Sequence, residues 1–252
     1  WALTKKKSVC GYCGTGCNVT LGVKENKNVV TTIYDENQGF HNGQLCVRGR
    51  FGYQFISSEK RLKTPLIRKN GQLVEASWDE AMALLAGKLK GAGASAAALA
   101  TPRMTNEELL LLKQLMTEQV GTQNIDHAAG YGHAAVSEGL AKSLGVAASS
   151  ATILDIQKSD LILVIKTDCY ETHPVVGFEI NMAVKNKGAK LQIISDKRGK
   201  LSRLPGANLF LNKAGSDVVL LNAVAKVLVD ENLAVTPASD ELAATLNDFT
   251  PE

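Results

Sequence analysis

The sequence lacks most of the features that mark membrane-spanning or nucleic-acid-binding proteins. No apolar run approaches the roughly 20 residues that a helix needs to cross a bilayer. The 28 Lys and Arg nearly balance the 25 Asp and Glu, which leaves a net charge of +3. Apart from Lys5, Lys6 and Lys7, the basic residues are scattered along the chain. We therefore predict neither a membrane span nor a nucleic-acid-binding surface.

Two further absences narrow the class of protein. Five cysteines in 252 residues are too few for a disulfide scaffold. Neither G-x-G-x-x-G nor G-x-x-x-x-G-K-[ST] occurs, so NAD and ATP binding have no motif support. The sequence is 45% hydrophobic and 21% charged, which is typical of a globular chain of one or two domains.

The cysteines are strongly clustered. Cys10, Cys13 and Cys17 follow a C-x2-C-x3-C spacing with three glycines among them, and 28 residues separate Cys17 from Cys46. Several thiolates can surround one inorganic centre only if the backbone wraps around it, which glycine favours because it has no Cβ. This segment is predicted to be a ligand loop.

Four thiolates suit either structural zinc or a [4Fe-4S] cluster. Structural zinc usually binds two separated C-x2-C pairs, whereas three close cysteines with one remote partner favour the cluster. Zinc is the main alternative, and four buried structural thiols are the least favoured interpretation. The fifth cysteine, Cys169, lies outside the motif and is interpreted as a small, partly buried residue.

The first 62 residues are predicted to form a small cluster-binding domain. Residues 18–24 and 29–34 are predicted to pair as a β-hairpin, and residues 51–61 to form a short helix. A domain of this size has little apolar core, so cluster binding is expected to contribute much of its folding free energy.

Residues 63–252 are predicted to form a doubly wound α/β domain with a mostly parallel sheet. A hairpin over 66–76 is expected to turn at Asn70-Gly71, and helices are expected to begin near Ser77 and Thr105. Residues 96–101, 161–165 and 191–195 are predicted strands, the last two buried on both faces and joined by a helix over 174–187. Further helices are predicted over 216–229 and, less regularly, from 234.

Two loops follow the predicted parallel strands, at the edge where such sheets bind ligands. Glu171 lies in the first, over 166–173, and Asp196 opens the second, over 196–199. Either carboxylate could bind a ribose or a guanine edge. Each could equally cap the next helix or pair with a nearby lysine or arginine.

Motifs along nearly the whole chain resemble those of the molybdopterin oxidoreductase family, which uses a bis(molybdopterin guanine dinucleotide) cofactor and includes formate dehydrogenase alpha subunits. The similar segments are Cys-Gly-Tyr-Cys-Gly-Thr-Gly-Cys at 10–17, Leu-Cys-Val-Arg-Gly-Arg-Phe-Gly at 45–52, Arg-Leu-Lys-Thr-Pro-Leu-Ile at 61–67, Ser-Trp-Asp-Glu-Ala at 77–81, Thr-Asn-Glu-Glu at 105–108, Gly-Thr-Gln-Asn-Ile-Asp-His at 121–127 and Glu-Thr-His-Pro-Val at 171–175. The resemblance implies a [4Fe-4S] cluster on Cys10, Cys13, Cys17 and Cys46.

The chain also departs from the family pattern. Arg48 stands where formate dehydrogenases typically have a lysine between cluster and pterin, which keeps the cation but changes its shape. Gly132 stands where they carry the cysteine or selenocysteine that binds molybdenum, and His133 matches the neighbouring histidine. Family members also have a large C-terminal portion beyond the position of Glu252, so the chain is expected to be truncated. The molybdenum site is therefore expected to be degenerate, and molybdopterin guanine dinucleotide is expected to be absent.

These observations predict an iron–sulfur electron-transfer component of a larger oxidoreductase complex. The large iron–sulfur subunit of NADH:quinone oxidoreductase also resembles this family and lacks an active molybdenum site. The alternatives are a catalytic formate-dehydrogenase-like subunit completed by a partner chain, and a zinc-stabilised module. The expected partners are iron–sulfur or flavin redox subunits, and the expected location is the cytoplasm, including on a membrane-associated complex.

Overall fold

The structure is a computed structural model that describes residues 2–25, 28–34 and 39–233, together with residues 240, 244 and 246. The chain divides into two compact units, Trp1–Ile153 and Leu154–Glu252. The helix predicted from residue 234 onward lies largely outside the described residues. None of the described helices has both the length and the apolar character needed to span a membrane.

The first unit begins with a three-stranded antiparallel sheet in the order β1-β2-β3. The strands are β1 (Thr4–Val9), β2 (Asn18–Lys24) and β3 (Asn28–Ile33). The predicted hairpin is β2 and β3, with a register shift between Gly22 and Val23. Strand β1 was not predicted, because Thr-Lys-Lys-Lys-Ser-Val shows no apolar alternation and all six residues are exposed.

The helix predicted over 51–61 is misplaced. An α-helix, α1, spans Val47–Phe51 and starts directly after Cys46, and a 3-10 helix continues over Gly52–Ser57. These short helices are joined to the sheet by side chains that donate to backbone carbonyls. Thr32 Oγ1 donates to the Arg50 carbonyl at 2.8 Å, and the Tyr53 hydroxyl donates to the Val30 carbonyl at 2.6 Å.

The remainder of the first unit contains the predicted second hairpin and its helices. Strands β4 (Leu66–Lys69) and β5 (Gln72–Glu75) are antiparallel, and both Asn70 and Gly71 have positive φ, as an Asn-Gly hairpin turn requires. Helix α2 (Trp78–Ala92) is followed by β6 (Ala98–Ala100), α3 (Asn106–Gln114), a π-helical turn over Leu115–Val120, β7 (Ile125–His127) and α4 (Gly130–Leu144). Strands β6 and β7 are parallel. Thr105 and Glu108 form a complete capping box at the start of α3, as predicted.

The second unit is built on a parallel sheet with strand order β10-β9-β8. In chain order its elements are β8 (Leu161–Ile165), α5 (Cys169–Thr172), α6 (Pro174–Lys187), β9 (Lys190–Ser195), β10 (Ala207–Leu211) and α7 (Asp217–Asp230). Helix α6 joins two parallel strands and ends at Gly188 with φ 71°, as predicted. The α/β class, with antiparallel strands first and parallel strands after, is confirmed.

The apolar core of the second unit lies on one side of this sheet. Its buried members are Val164, Cys169, Ile180, Leu191, Ile193 and Leu201. The prediction that β8 is buried on both faces is wrong, because Leu161 and Leu163 are 59% and 51% exposed. A run of five apolar residues looks the same in sequence whether one or both of its faces are covered.

Candidate functional site: a cysteine loop and the helix after Cys46

The first three cysteines occupy one closed loop between β1 and β2. The Cys10 N–H donates to the Cys17 carbonyl at 2.8 Å, and the Gly16 N–H donates to the Cys13 carbonyl at 3.3 Å. Gly16 has φ 62°, a left-handed conformation that favours glycine. All five cysteines are free thiols.

Cys46 approaches this loop through the helix that it starts. It is the residue before α1, and its carbonyl accepts the Arg50 N–H at 2.9 Å. A Cβ built on Gly49 of that helix would lie 3.6 Å from the Cys10 sulfur. The Cys10 sulfur therefore lies beside the helical turn that follows the remote cysteine, where a larger residue than glycine would touch it.

The four thiols interact electrostatically. Burial, with smaller contributions in the same direction from Cys10, Cys13 and Cys46, raises the pKa of Cys17 to about 12. Burial also raises the pKa of Cys10, with Cys46 and Cys13 contributing and a backbone hydrogen bond at Tyr12 opposing. A coordinated metal deprotonates its thiols, so a bound cationic centre would offset these raised pKa values. The donor set thus fits an iron–sulfur cluster.

Within the described ranges, no three His, Cys, Asp or Glu side chains are grouped to hold a single metal ion.

His41 is a further buried group in this part of the unit, and no sequence motif singles it out. It is 0% exposed, and its ring meets the Phe40 ring edge-on with centroids 5.2 Å apart. Burial lowers the pKa of His41, and backbone groups of Gln44 and Asn18 oppose that shift. Neither ring nitrogen has a geometric hydrogen-bond partner among the residues that the structure describes.

Arg48 is the second residue of α1 and lines a cleft of about 350 Å³ together with Cys10. The other walls include Tyr12, Phe55 and Arg61. Tyr12 is fixed by a hydroxyl hydrogen bond to the Gly52 carbonyl and by an edge-on contact with Phe55. All of the described residues that line the cleft belong to the first 61, and Arg48 shares it with Cys10, a predicted ligand.

The two predicted carboxylates in the second unit each have a basic partner. The Asp196 carboxylate lies 3.3 Å from Lys166 Nζ, which is also 3.5 Å from Asp217. Glu171 lies 3.9 Å from Lys200 Nζ. The hydrogen bond from Lys166 lowers the pKa of Asp196, with burial opposing. Lys166 itself has φ 56°, an uncommon conformation for a lysine at a strand end.

Asp168, which the sequence analysis did not select, connects the two loops. One carboxylate oxygen accepts the Tyr170 N–H at the start of α5, and the other accepts the backbone N–H of Lys200. Both loops line a cavity of about 140 Å³, with Thr167 and Ser202 among the polar groups. No local pattern could have revealed this contact, because 32 residues separate its partners.

The segment predicted to correspond to the family's molybdenum-ligand region, residues 126–133, runs from the end of β7 through a turn into α4. Gly132 lies in the first turn of α4, and a Cβ placed there would meet no atom within 4 Å. Asp126, His127 and His133 line a cleft of about 340 Å³ beside it. At position 132 itself the chain presents no donor atom for a metal.

Two family models match the chain. The model described as molybdopterin oxidoreductase Fe4S4 domain matches residues 3–58, and the model described as molybdopterin oxidoreductase matches residues 61–238. The second match alone spans more than half of the chain.

Curated relatives include formate dehydrogenase 1 subunit alpha from Methanococcus maripaludis, which is 36% identical over 97% of this chain and 37% of its own length. A probable oxidoreductase from Bacillus subtilis is 37% identical over 92% of this chain and 24% of its own length. Acetylene hydratase from Pelobacter acetylenicus has a similar fold, with a TM-score of 0.69 at 17% identity, over 97% of this chain and 35% of that structure.

The chain spans about a quarter to a third of the length of these relatives. The four cysteines lie within the matched Fe4S4 region, and the parallel sheets lie within the matched oxidoreductase region. The chain belongs to the molybdopterin oxidoreductase family and contains its Fe4S4 domain.

Proposed function

We propose that this protein is an iron–sulfur electron-transfer component of a larger oxidoreductase complex. The observation that carries the proposal is a contrast between two sites in the first unit. The cysteine region supplies four mutually interacting thiols for a cluster, whereas Gly132 supplies no ligand for molybdenum. A bound [4Fe-4S] cluster supplies a centre that accepts and releases one electron at a time.

In this proposal Cys10, Cys13, Cys17 and Cys46 hold the cluster. The backbone hydrogen bond between Cys10 and Cys17 closes the loop, and the Arg50–Cys46 hydrogen bond anchors the remote ligand on α1. We propose a boundary at residue 62, so that residues 1–62 form the cluster-binding domain and residues 63–252 form the α/β domain. The limits of the two family matches support this boundary.

Arg48 is proposed to tune the cluster. Its positive charge lies on the helix that starts at Cys46, and it shares a cleft with Cys10. A nearby cation favours the more negative, reduced state of a cluster. Arg48→Ala is therefore expected to lower the reduction potential of the cluster. Arg48→Lys keeps the positive charge and is expected to change the potential less. A potential that rises in Arg48→Ala would contradict this role.

Molybdopterin guanine dinucleotide is proposed to be absent or weakly held. The cavity between the Glu171 and Asp196 loops is about 140 Å³, below the roughly 300–1,000 Å³ of typical small-molecule sites. Both carboxylates already have lysine partners, although Lys166, Thr167 and Ser202 could face a ligand. Because the neighbouring Gly132 has no side chain that could bind a metal, His133 is proposed to have no proton-transfer role.

A catalytic formate-dehydrogenase-like subunit is the second candidate, and the similarity to formate dehydrogenase alpha subunits favours it. It requires a partner chain to complete the cofactor site and a metal ligand other than residue 132. In either case the proposed partners are iron–sulfur or flavin subunits of one complex, in the cytoplasm or at a membrane-associated assembly.

Metal analysis of the anaerobically purified chain separates these proposals. Electron transfer predicts about four iron and four sulfide per chain, with visible absorption that bleaches on reduction, and less than about a tenth of an equivalent of molybdenum or tungsten. Stoichiometric molybdenum with an extractable pterin would instead establish the catalytic candidate. Stoichiometric zinc without iron would reject both.

A further inference from the structure

The cleft beside Cys10 differs in charge from the rest of the chain. Residues 1–63 contain ten Lys and Arg and four Asp and Glu, a net charge of +6, whereas residues 64–252 contain 18 and 21, a net charge of −3. Between residues 39 and 63, Glu59 is the only acidic residue. The region around the proposed cluster is thus a basic part of an otherwise slightly acidic chain.

Among the described residues, no carboxylate forms an ion pair with an arginine of the cleft. Every ion pair between described side chains uses a lysine as the base. Arg61 lies over the Phe55 ring at 5.7 Å, and the side chains of Arg48 and Arg61 are both exposed. Two guanidinium groups without a carboxylate partner in the part of the chain that the structure describes therefore line the cleft.

The other walls are apolar and partly exposed. Val9 and Phe55 are 44% and 49% exposed, and Tyr12 and Tyr53 are held in place by hydroxyl hydrogen bonds to backbone carbonyls. Fixed aromatic side chains beside arginines are the composition that dominates binding energy at protein interfaces. Lysines on β1 are weaker evidence, because lysine on an edge strand also prevents aggregation.

We infer that this cleft is the docking surface for a small acidic electron-carrier protein, whose carboxylates pair with Arg48 and Arg61 and whose apolar anchor contacts Phe55. This inference rests on the proposed electron-transfer function and names its partner. The charge difference would steer the carrier to the basic region, and the cleft would hold it against the backbone of Cys10, a proposed cluster ligand.

The test measures binding of an acidic [2Fe-2S] ferredoxin to the anaerobic, iron-loaded chain by calorimetry at several salt concentrations. We expect Arg61→Gln to raise the dissociation constant about 5-fold and Phe55→Ala about 10-fold, and the affinity of the unmodified chain to fall with salt. Arg61→Lys should retain most of the affinity. Arg103→Gln removes the same charge from an exposed position outside the cleft and should change the affinity less than about 2-fold.

Iron content and far-UV circular dichroism of each variant establish that it is loaded and folded. Equal weakening by Arg61→Gln and Arg103→Gln would overturn the inference, because binding would then follow net charge alone. Equally tight binding of a DNA duplex, or self-association of the chain that Arg61→Gln abolishes, would overturn it in favour of another occupant. If the cluster is present and reducible by dithionite but ferredoxin does not bind, the inferred docking surface is wrong and the proposed electron-transfer function is unaffected. If iron is absent, the proposed function itself fails.

Discussion

The cysteine-containing region and the βαβ unit are stabilised in different ways. In residues 2–62 the buried set includes Thr20, Thr32 and His41, and much of the tertiary structure depends on side chains bonded to backbone carbonyls. In residues 154–233 the buried set is mainly aliphatic, with Glu179 and Ser195 as its polar members. We therefore expect the first region to depend on a bound cluster for its rigidity and the second to depend on its apolar core alone.

The largest expected effect is that of Cys46→Ser. Losing the remote ligand should convert or remove the cluster, so iron content should fall by more than half and residues 2–62 should lose amide hydrogen-exchange protection. Residues 154–233 should keep theirs. Cys169→Ser, at a cysteine outside the motif, should retain full iron content. Unchanged iron in Cys46→Ser would show that another residue is the fourth ligand.

The reverse experiment removes core packing from the second unit. Leu191 is 0% exposed at the centre of that core, and Leu191→Ala should lower the free energy of unfolding by about 2–5 kcal/mol. The control, Leu163→Ala, truncates a leucine that is 51% exposed on the neighbouring strand and should cost less than about 1 kcal/mol. Urea unfolding gives both values. A loss of iron in Leu191→Ala would contradict the separate stabilisation of the two regions, because it would show that they depend on each other.

A smaller effect is expected where a side chain joins the sheet to α1. The Thr32 hydroxyl donates to the Arg50 carbonyl at 2.8 Å and is nearly buried, so Thr32→Val leaves that carbonyl without its donor. We expect a loss of about 1–3 kcal/mol and faster release of iron to a chelator. Thr4→Val, at an exposed position of β1, should change neither quantity. Equal rates of iron release from the two variants would show that this hydrogen bond does not help to retain the cluster.

The sequence could predict elements whose determinants are local. Thr105 with Glu108, Gly188 after α6 and the Asn70-Gly71 turn each fix a boundary through residues within four positions of it. It could also identify the four cysteines as one set, because three of them follow each other at short spacing. Their geometry depends on the turn that brings Cys46 back to the loop.

What the sequence could not predict depends on distant partners. Strand β1 is a strand because β2 pairs with it, and its own residues are polar and exposed. Asp168 is important because it accepts the N–H of Lys200, and the open face of β8 is determined by which elements cover the sheet. His41 is buried by the fold of the region around it and has no motif of its own.

His41 gives the smallest and most specific test of the comparison. Burial lowers its pKa in the folded chain, so below about pH 6.5 the unfolded state binds more protons than the folded state. The stability of the first region should therefore be fully present above that pH and should decline as the pH falls below it, by less than about 1.4 kcal/mol per pH unit.

His41→Phe should flatten this dependence, whereas His173→Gln, an exposed residue of the second unit, should leave it unchanged. Urea unfolding of the anaerobic, iron-loaded chain at pH 7.5 and 5.5, followed by hydrogen exchange in residues 2–62, measures it. Equal slopes for His41→Phe and the unmodified chain would mean that folding does not change the pKa of the buried imidazole. The polar interior of this region would then depend on its threonine and tyrosine hydrogen bonds alone.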